Sequence, residues 1–243
     1  MKLQQVLYSQ GFGTRRECTV LIERGAVEID GEVQHQALAE IAVEGLTLTV
    51  NGEPWPFHQQ AYLMLNKPAG FECSQRPSHW PSVYSLLPRP LTTRPTKSSV
   101  AGVQAVGRLD QDTTGLLLLS DDGQFIHRMA SPKHHVPKVY VVTTRHAVDA
   151  AAISALVSGV VLNADPEPVA AVACEVVSDC VIRLTLTEGK YHQVKRMLAA
   201  VGNRVEALHR SQIGGLTLDA DLREGQWRWL SAADLALITN PVL

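Results

Sequence analysis

Residues 115–119 read Gly-Leu-Leu-Leu-Leu, an apolar run framed by Asp112-Thr113-Thr114 upstream and Ser120-Asp121-Asp122-Gly123 downstream. A strand of this composition has no face suited to water, so it demands a sheet covered on both sides. Further strand patterns fall at 61–65, 138–144, 170–177, 181–186, 205–209 and 216–218, and helical patterns at 124–130, 148–157, 192–201 and 232–238. Many of these strands follow one another with no helix between them. That order predicts an α+β domain with a mixed, mainly antiparallel sheet flanked by helices.

The first 33 residues have a pattern of their own. Leu3, Val6 and Leu7 share one helix face, Gly11-Phe12-Gly13 breaks that helix, and Thr14-Arg15-Arg16-Glu17 is a capping box that starts a second helix ending at Gly25. An alternating strand over 26–31 closes in an Asp30-Gly31 turn, 46–50 is a further strand, and 51–56 reads as turn and linker. The boundary is expected near residue 60, giving a small domain over 1–60 and a larger one over 61–243. Residues 74–99, with five prolines, read as a long loop.

Composition narrows the class. The chain has 243 residues, 45% apolar and 19% charged, with a net charge of −2, which excludes disordered, collagen-like and coiled-coil proteins. Its longest apolar run, 169–174, is far short of the roughly 18 residues of a membrane span, and no hydrophobic stretch follows Lys2. A cytoplasmic protein with no membrane partner is expected. Cys18, Cys73, Cys174 and Cys180 are scattered, and no Cys or His spacing suits a metal, so reduced thiols and no metal site are expected.

Charge is segregated. Residues 74–100 carry Arg76, Arg89, Arg94 and Lys97 without an acid, and 128–146 carry Arg128, Lys133, Lys138 and Arg145 without an acid, whereas 147–182 hold five acids and no Lys or Arg. Ordinary surfaces mix the signs, so this pattern points to a positive face for a polyanion such as a phosphate backbone.

The chemistry concentrates upstream of the apolar strand. In an extended Gly107-Arg108-Leu109-Asp110 segment, Arg108 and Asp110 share a face, and Asp110 stands where the chain enters the core. An Asp in such a place serves equally as a turn former that bonds its own backbone. The whole stretch over 107–123, GRLDQDTTGLLLLSDDG, resembles the signature of the pseudouridine synthases. Asn66-Lys67-Pro68-Ala69-Gly70, Lys138-Val139-Tyr140 and the stretch from Glu188 to Met197 agree with the same family, and residues 1–33 resemble the S4-type RNA-binding module. The run through His209-Arg210 to Asp219 is most similar to the branch acting on small-subunit (16S) ribosomal RNA.

The resemblance implies a cofactor-free isomerisation in which uracil leaves its ribose, turns and rejoins through carbon. It implies Asp110 as the catalytic carboxylate, Tyr140 packing on the flipped base, and Lys195 as the basic partner at a position where arginine is common. Helix geometry agrees: Val194, Met197, Leu198 and Val201 form a stripe that Lys195 borders, while Arg196 lies nearly opposite and is expected to meet phosphate. A lysine offers a point charge and no two-pronged contact with Asp110. Arg108 is read as RNA-facing or as orienting Asp110, Asn66 and Lys67 as shaping the pocket rim, and His192 as an RNA contact. Arg15, Arg16 and Arg24 are candidate phosphate contacts in the N-terminal module, although 1–33 carry a net charge of −1. The expected partner is small-subunit rRNA, alone or in a partly assembled subunit, bound by a monomer. Two other classes fit subsets of these residues: a non-catalytic rRNA-binding or assembly factor, and a hydrolase built on Asp110 and Asp112. The second is disfavoured, because carboxylates close together on one loop seldom flank a single bond at the roughly 5–9.5 Å that such enzymes need.

Overall fold

The computed structural model describes residues 1–96, 100–131, 134–163 and 165–239; Lys97 and Lys133 of the basic segments lie outside the described residues. Its contacts group into two compact units. The first contains residues 1–62, 87–104 and 119–123, and the second contains 63–86, 105–118 and 124–243.

In the first unit, α1 (Leu3–Gln10) and α2 (Arg15–Glu23) pack on a sheet of β1 (Val27–Ile29), β2 (Glu32–Val33), β3 (Thr47–Val50) and β4 (Glu53–Pro56), ordered β2-β1-β3-β4. The capping box forms as the sequence predicts: Thr14 accepts from the Glu17 amide and the Glu17 carboxylate accepts from the Thr14 amide at 2.6 Å. Leu3, Val6, Leu7, Cys18, Ile22, Val27, Leu48 and Val50 make the core. The segment read as turn and linker is instead a turn at Asn51-Gly52 followed by β4, which pairs with β3 in the register Thr47↔Pro56. Two prolines are tolerated there because β4 is an edge strand whose outer amides need no partner.

A short helix, α3 (Arg89–Thr93), belongs to the same unit. Arg94 follows it, and its side chain is buried. It bonds Asp121 at 2.5 Å, Gln10 Oε1 at 2.9 Å and the His58 carbonyl at 2.7 Å. One of the cations assigned to the polyanion face is therefore internal. Arg94→Met leaves the buried Asp121 carboxylate without its ion-pair partner, with only the Ala61 amide bonded to it among the described residues, and is expected to cost about 3–5 kcal/mol, read from denaturant unfolding.

The second unit contains β5 (Tyr62–Lys67), β6 (Gln104–Val106), β7 (Thr114–Ser120), α4 (Gly123–Ala130), β8 (Lys138–Thr144), α5 (Ala150–Ser158), β9 (Val160–Leu162), β10 (Asp165–Val169), β11 (Ala173–Ser178), β12 (Val181–Leu186), α6 (Gln193–Ala200), β13 (Val205–Ile213), β14 (Leu216–Thr217), β15 (Trp227–Trp229) and α7 (Ala232–Thr239). The main sheet runs β11-β12-β8-β13-β7-β5-β15, with β14 on β13 and β6 on β7, while β9 and β10 form a separate hairpin. β11, β12, β8 and β13 pair antiparallel, and β13 pairs parallel with β7, so the sheet is mixed. Leu116 to Leu119 are fully buried, as an apolar central strand requires. Gly115 has φ +101°, and a Cβ there would stand 2.3 Å from the Arg210 carbonyl, so β7 and β13 approach closely only because this residue has no side chain.

The proline-rich segment is more ordered than a long loop suggests, since it holds a 3-10 turn at Val83–Leu86 as well as α3. Near its start the Glu72 carboxylate accepts amide hydrogen bonds from Ser78, His79 and Trp80 at 3.0–3.1 Å. These bonds, led by that from His79, hold its pKa down from 4.5 to about 2. A folded-state pKa below the unfolded one means that the contribution is complete above pH 4.5 and disappears as pH falls through about 2. Amide exchange at 78–80 is therefore expected to stay slow at pH 4, and Glu72→Gln is expected to accelerate it at neutral pH. No helix among the described residues is long and apolar enough to cross a membrane.

Candidate active site

Asp110 lies in the turn between β6 and β7, closed by the Thr113 amide donating to the Asp110 carbonyl at 3.1 Å. What holds this turn is Lys67, the last residue of β5. Its ammonium is fully buried and donates to the carbonyls of Pro68 at 3.0 Å, Gln111 at 3.2 Å and Thr113 at 2.8 Å. The Gly70 amide adds a bond to the Gln111 carbonyl at 2.7 Å. Burial pulls the Lys67 pKa below its usual value, a cost the three carbonyls offset by solvating the charge. Lys67, expected at the pocket rim, thus lies beneath the turn as its anchor. Asn66 is also buried, and its amide donates to the Leu222 carbonyl at 2.8 Å, away from the pocket.

Opposite Asp110 stands the start of α6. Lys195 Nζ is 3.1 Å from Asp110 Oδ2, and it bonds both carboxylate oxygens of Asp112 at 2.7 and 2.9 Å. The lysine therefore bridges two acids, with the shorter contacts to Asp112. Burial disfavours its charge, but the bonds to Asp112 and Asp110 outweigh that effect and raise its pKa, so the ammonium persists through neutral pH. His192 Nε2 is 3.5 Å from the same Asp110 oxygen. This histidine caps α6 with φ +49°, and its ring stacks on Tyr191 with centroids 3.8 Å apart.

Tyr140 stands in the middle of β8, paired with Leu184 on one side and Arg210 on the other, and is 9% exposed. Arg108, Asp110, Tyr140, His192 and Lys195 line one pocket of about 80 Å³. That volume is small beside the roughly 300–1,000 Å³ of typical ligand sites. Arg108 is exposed at this rim, with no acidic partner among the described residues.

Other predicted residues stand elsewhere. The Arg196 guanidinium donates to the carbonyls of Asn163 and Tyr191, so it ties α6 to the β9–β10 hairpin. In the first unit Arg15, Arg16 and Arg24 are exposed on or next to α2. Arg15 lies 5.3 Å from the Tyr8 ring centroid and Arg24 bonds Asn51 at 2.9 Å. Asp112 as the closer acid on Lys195 and Lys67 as an anchor are both unexpected from the sequence. The spacing of Asp110 and Asp112 was a visible signal for the first; nothing local marks the second.

A family model described as RNA pseudouridylate synthase matches residues 61–200, and one described as S4 domain matches residues 1–35. The chain is 37% identical over 235 residues to the ribosomal small subunit pseudouridine synthase A of Haemophilus influenzae, covering 97% of this chain and 98% of that protein. It is 40% identical over 218 residues to the Escherichia coli protein of the same name, covering 89% and 90%. A crystal structure of a pseudouridylate synthase matches with a TM-score of 0.67 at 37% identity over 98% of this chain and 99% of that one. With Asp110, Tyr140 and Lys195 gathered at one pocket inside the matched segment, the chain belongs to the RNA pseudouridylate synthase family and carries an S4 domain at its N-terminus.

Proposed function

We propose that this protein converts one uridine of small-subunit ribosomal RNA to pseudouridine, at position 516 of the 16S molecule. In this reading residues 1–60 form the RNA-binding domain and 61–243 the catalytic domain. The observation that carries it is the ionic cluster in a pocket walled by an aromatic ring: Lys195 is 3.1 Å from Asp110, and Tyr140 lines the same space.

The chemistry follows from those groups. Uridine enters out of its stack, since the glycosidic bond is unreachable inside a helix. The Asp110 carboxylate, beside the Lys195 ammonium, initiates cleavage of the bond between the base nitrogen and the ribose. The freed uracil turns against Tyr140 and rejoins the ribose through C5. The C5 hydrogen leaves as a proton, the released nitrogen gains one, and no oxidant or reductant is required. The target class is supported by the relatives named for the small ribosomal subunit and by the uneven placement of basic residues along the chain.

Transcripts of small- and large-subunit rRNA carrying tritium at uridine C5 test this reading. Release from the small-subunit RNA alone, mapped to one uridine, is the expected result. Release from the large-subunit RNA alone would overturn the target, and binding without release from either would make the protein a non-catalytic rRNA-binding factor.

A further inference from the structure

Beside the Asp110 pocket lies a second cavity of about 350 Å³, which shares Arg108, Tyr140, Glu188 and Lys190 with it and adds Lys138 and Arg210. Lys138 and Tyr140 alternate onto one face of β8, and Arg210 pairs directly with Tyr140 across the sheet, so strand geometry brings the two cations together. Arg210 is 2% exposed. Its Nε donates to the Leu116 carbonyl at 2.8 Å, while Nη2 has no acceptor among the described residues. Lys138 Nζ donates to the Val136 carbonyl at 2.9 Å. Burial, then the charge of Arg210, push its pKa down to about 8. Among the other charged groups of the cavity, Lys190 is engaged by Asp165 at 2.7 Å, and Glu188 is the one acid among the described lining residues, beside Arg108, Lys138 and Arg210. A buried guanidinium with an unused donor beside a destabilised ammonium is a costly arrangement unless an anion completes it.

We propose that this cavity receives one phosphate of the substrate RNA strand, next to the extruded uridine, with Arg210 and Lys138 as its ligands. The proposal rests on the reading that the chain acts on RNA. A phosphodiester suits the site because a guanidinium fork matches phosphate oxygens and because the cavity adjoins the pocket where the nucleoside is held.

The test uses the full chain and a small-subunit rRNA fragment in which single linkages around the target uridine are replaced by neutral methylphosphonates. Wild-type protein is expected to bind about ten-fold more weakly when one particular linkage is neutral. Lys138→Met is expected to bind the unmodified RNA more weakly by a similar factor, to show no further loss at that linkage, and to lower the salt-dependence slope by about 0.7. Arg210→Lys keeps the charge but not the fork, so it is expected to show a reduced loss at the same linkage, and it serves should Lys138→Met fail to fold. Losses that multiply independently, or no linkage-specific loss in the wild type, would overturn the subsite. Pseudouridine formation on the same unmodified RNA is measured in parallel. Turnover with independent losses removes the subsite alone, whereas absence of turnover removes the functional reading and the subsite with it.

Discussion

Asp110→Asn is expected to lower single-turnover pseudouridine formation by about 10⁴-fold, equivalent to about 5 kcal/mol of transition-state stabilisation, with RNA affinity changed less than about two-fold. The substitution keeps side-chain shape and removes charge. The turn should survive it, because the bond that closes it runs from the Thr113 amide to the Asp110 carbonyl and involves only backbone. Lys195 retains its two bonds to Asp112, so α6 stays in place. Asp112→Asn provides the contrast: it removes the nearer partner of Lys195 but leaves the carboxylate at 110, and a loss of about ten-fold is expected. Equal effects from the two substitutions would mean that the pair acts as one ionic cluster and not as a catalytic acid with a supporting neighbour.

Lys67→Met is expected to be the change outside the pocket that most reduces activity. Methionine fills similar volume but leaves the carbonyls of Pro68 and Thr113 without this donor in a buried place, while that of Gln111 keeps the Gly70 amide. Unsatisfied buried acceptors cost about 1–3 kcal/mol each, part of which is recovered because a buried charge is also removed. A net loss of about 2–5 kcal/mol follows, or roughly 5–15 °C in Tm for a chain of this size. Activity should fall further than stability, since two of the three carbonyls lie in the turn that aims Asp110. Differential scanning calorimetry together with turnover well below the lowered Tm separates the two effects. A variant with wild-type Tm and wild-type turnover would show that the ammonium is not the anchor.

The reach of the sequence differed between elements for physical reasons. The central strand was legible because four consecutive leucines have no other way to fold, and the capping box because its two hydrogen bonds are local. Strands whose identity depends on partners far along the chain were not. β10 contains Pro166 and Pro168, which argue against a strand until its hairpin with β9 is seen, and β15 has only three residues, paired with β5 across more than half the chain. The prolines of 51–56 hid an edge strand in the same way. Within the site, helix periodicity placed Lys195 at the border of the buried stripe, where it reaches Asp110. Periodicity could not show that Arg196 also reaches the Asn163 carbonyl, a contact set by the folding of the β9–β10 hairpin. Lys67 was read as shaping the pocket rim and Arg94 as part of a positive face, since Lys and Arg are mostly exposed; their burial is set by acceptors brought together only in the folded chain.

The central claim is that the Asp110 carboxylate acts on a uridine of the small ribosomal subunit. Pseudouridine mapping in the rRNA of cells that lack this chain, and of the same cells supplied with either the wild-type protein or Asp110→Asn, tests it most directly. The account predicts that one small-subunit pseudouridine vanishes and returns with the wild-type protein only. Persistence of every pseudouridine without the chain, or restoration of the lost one by Asp110→Asn, would contradict it.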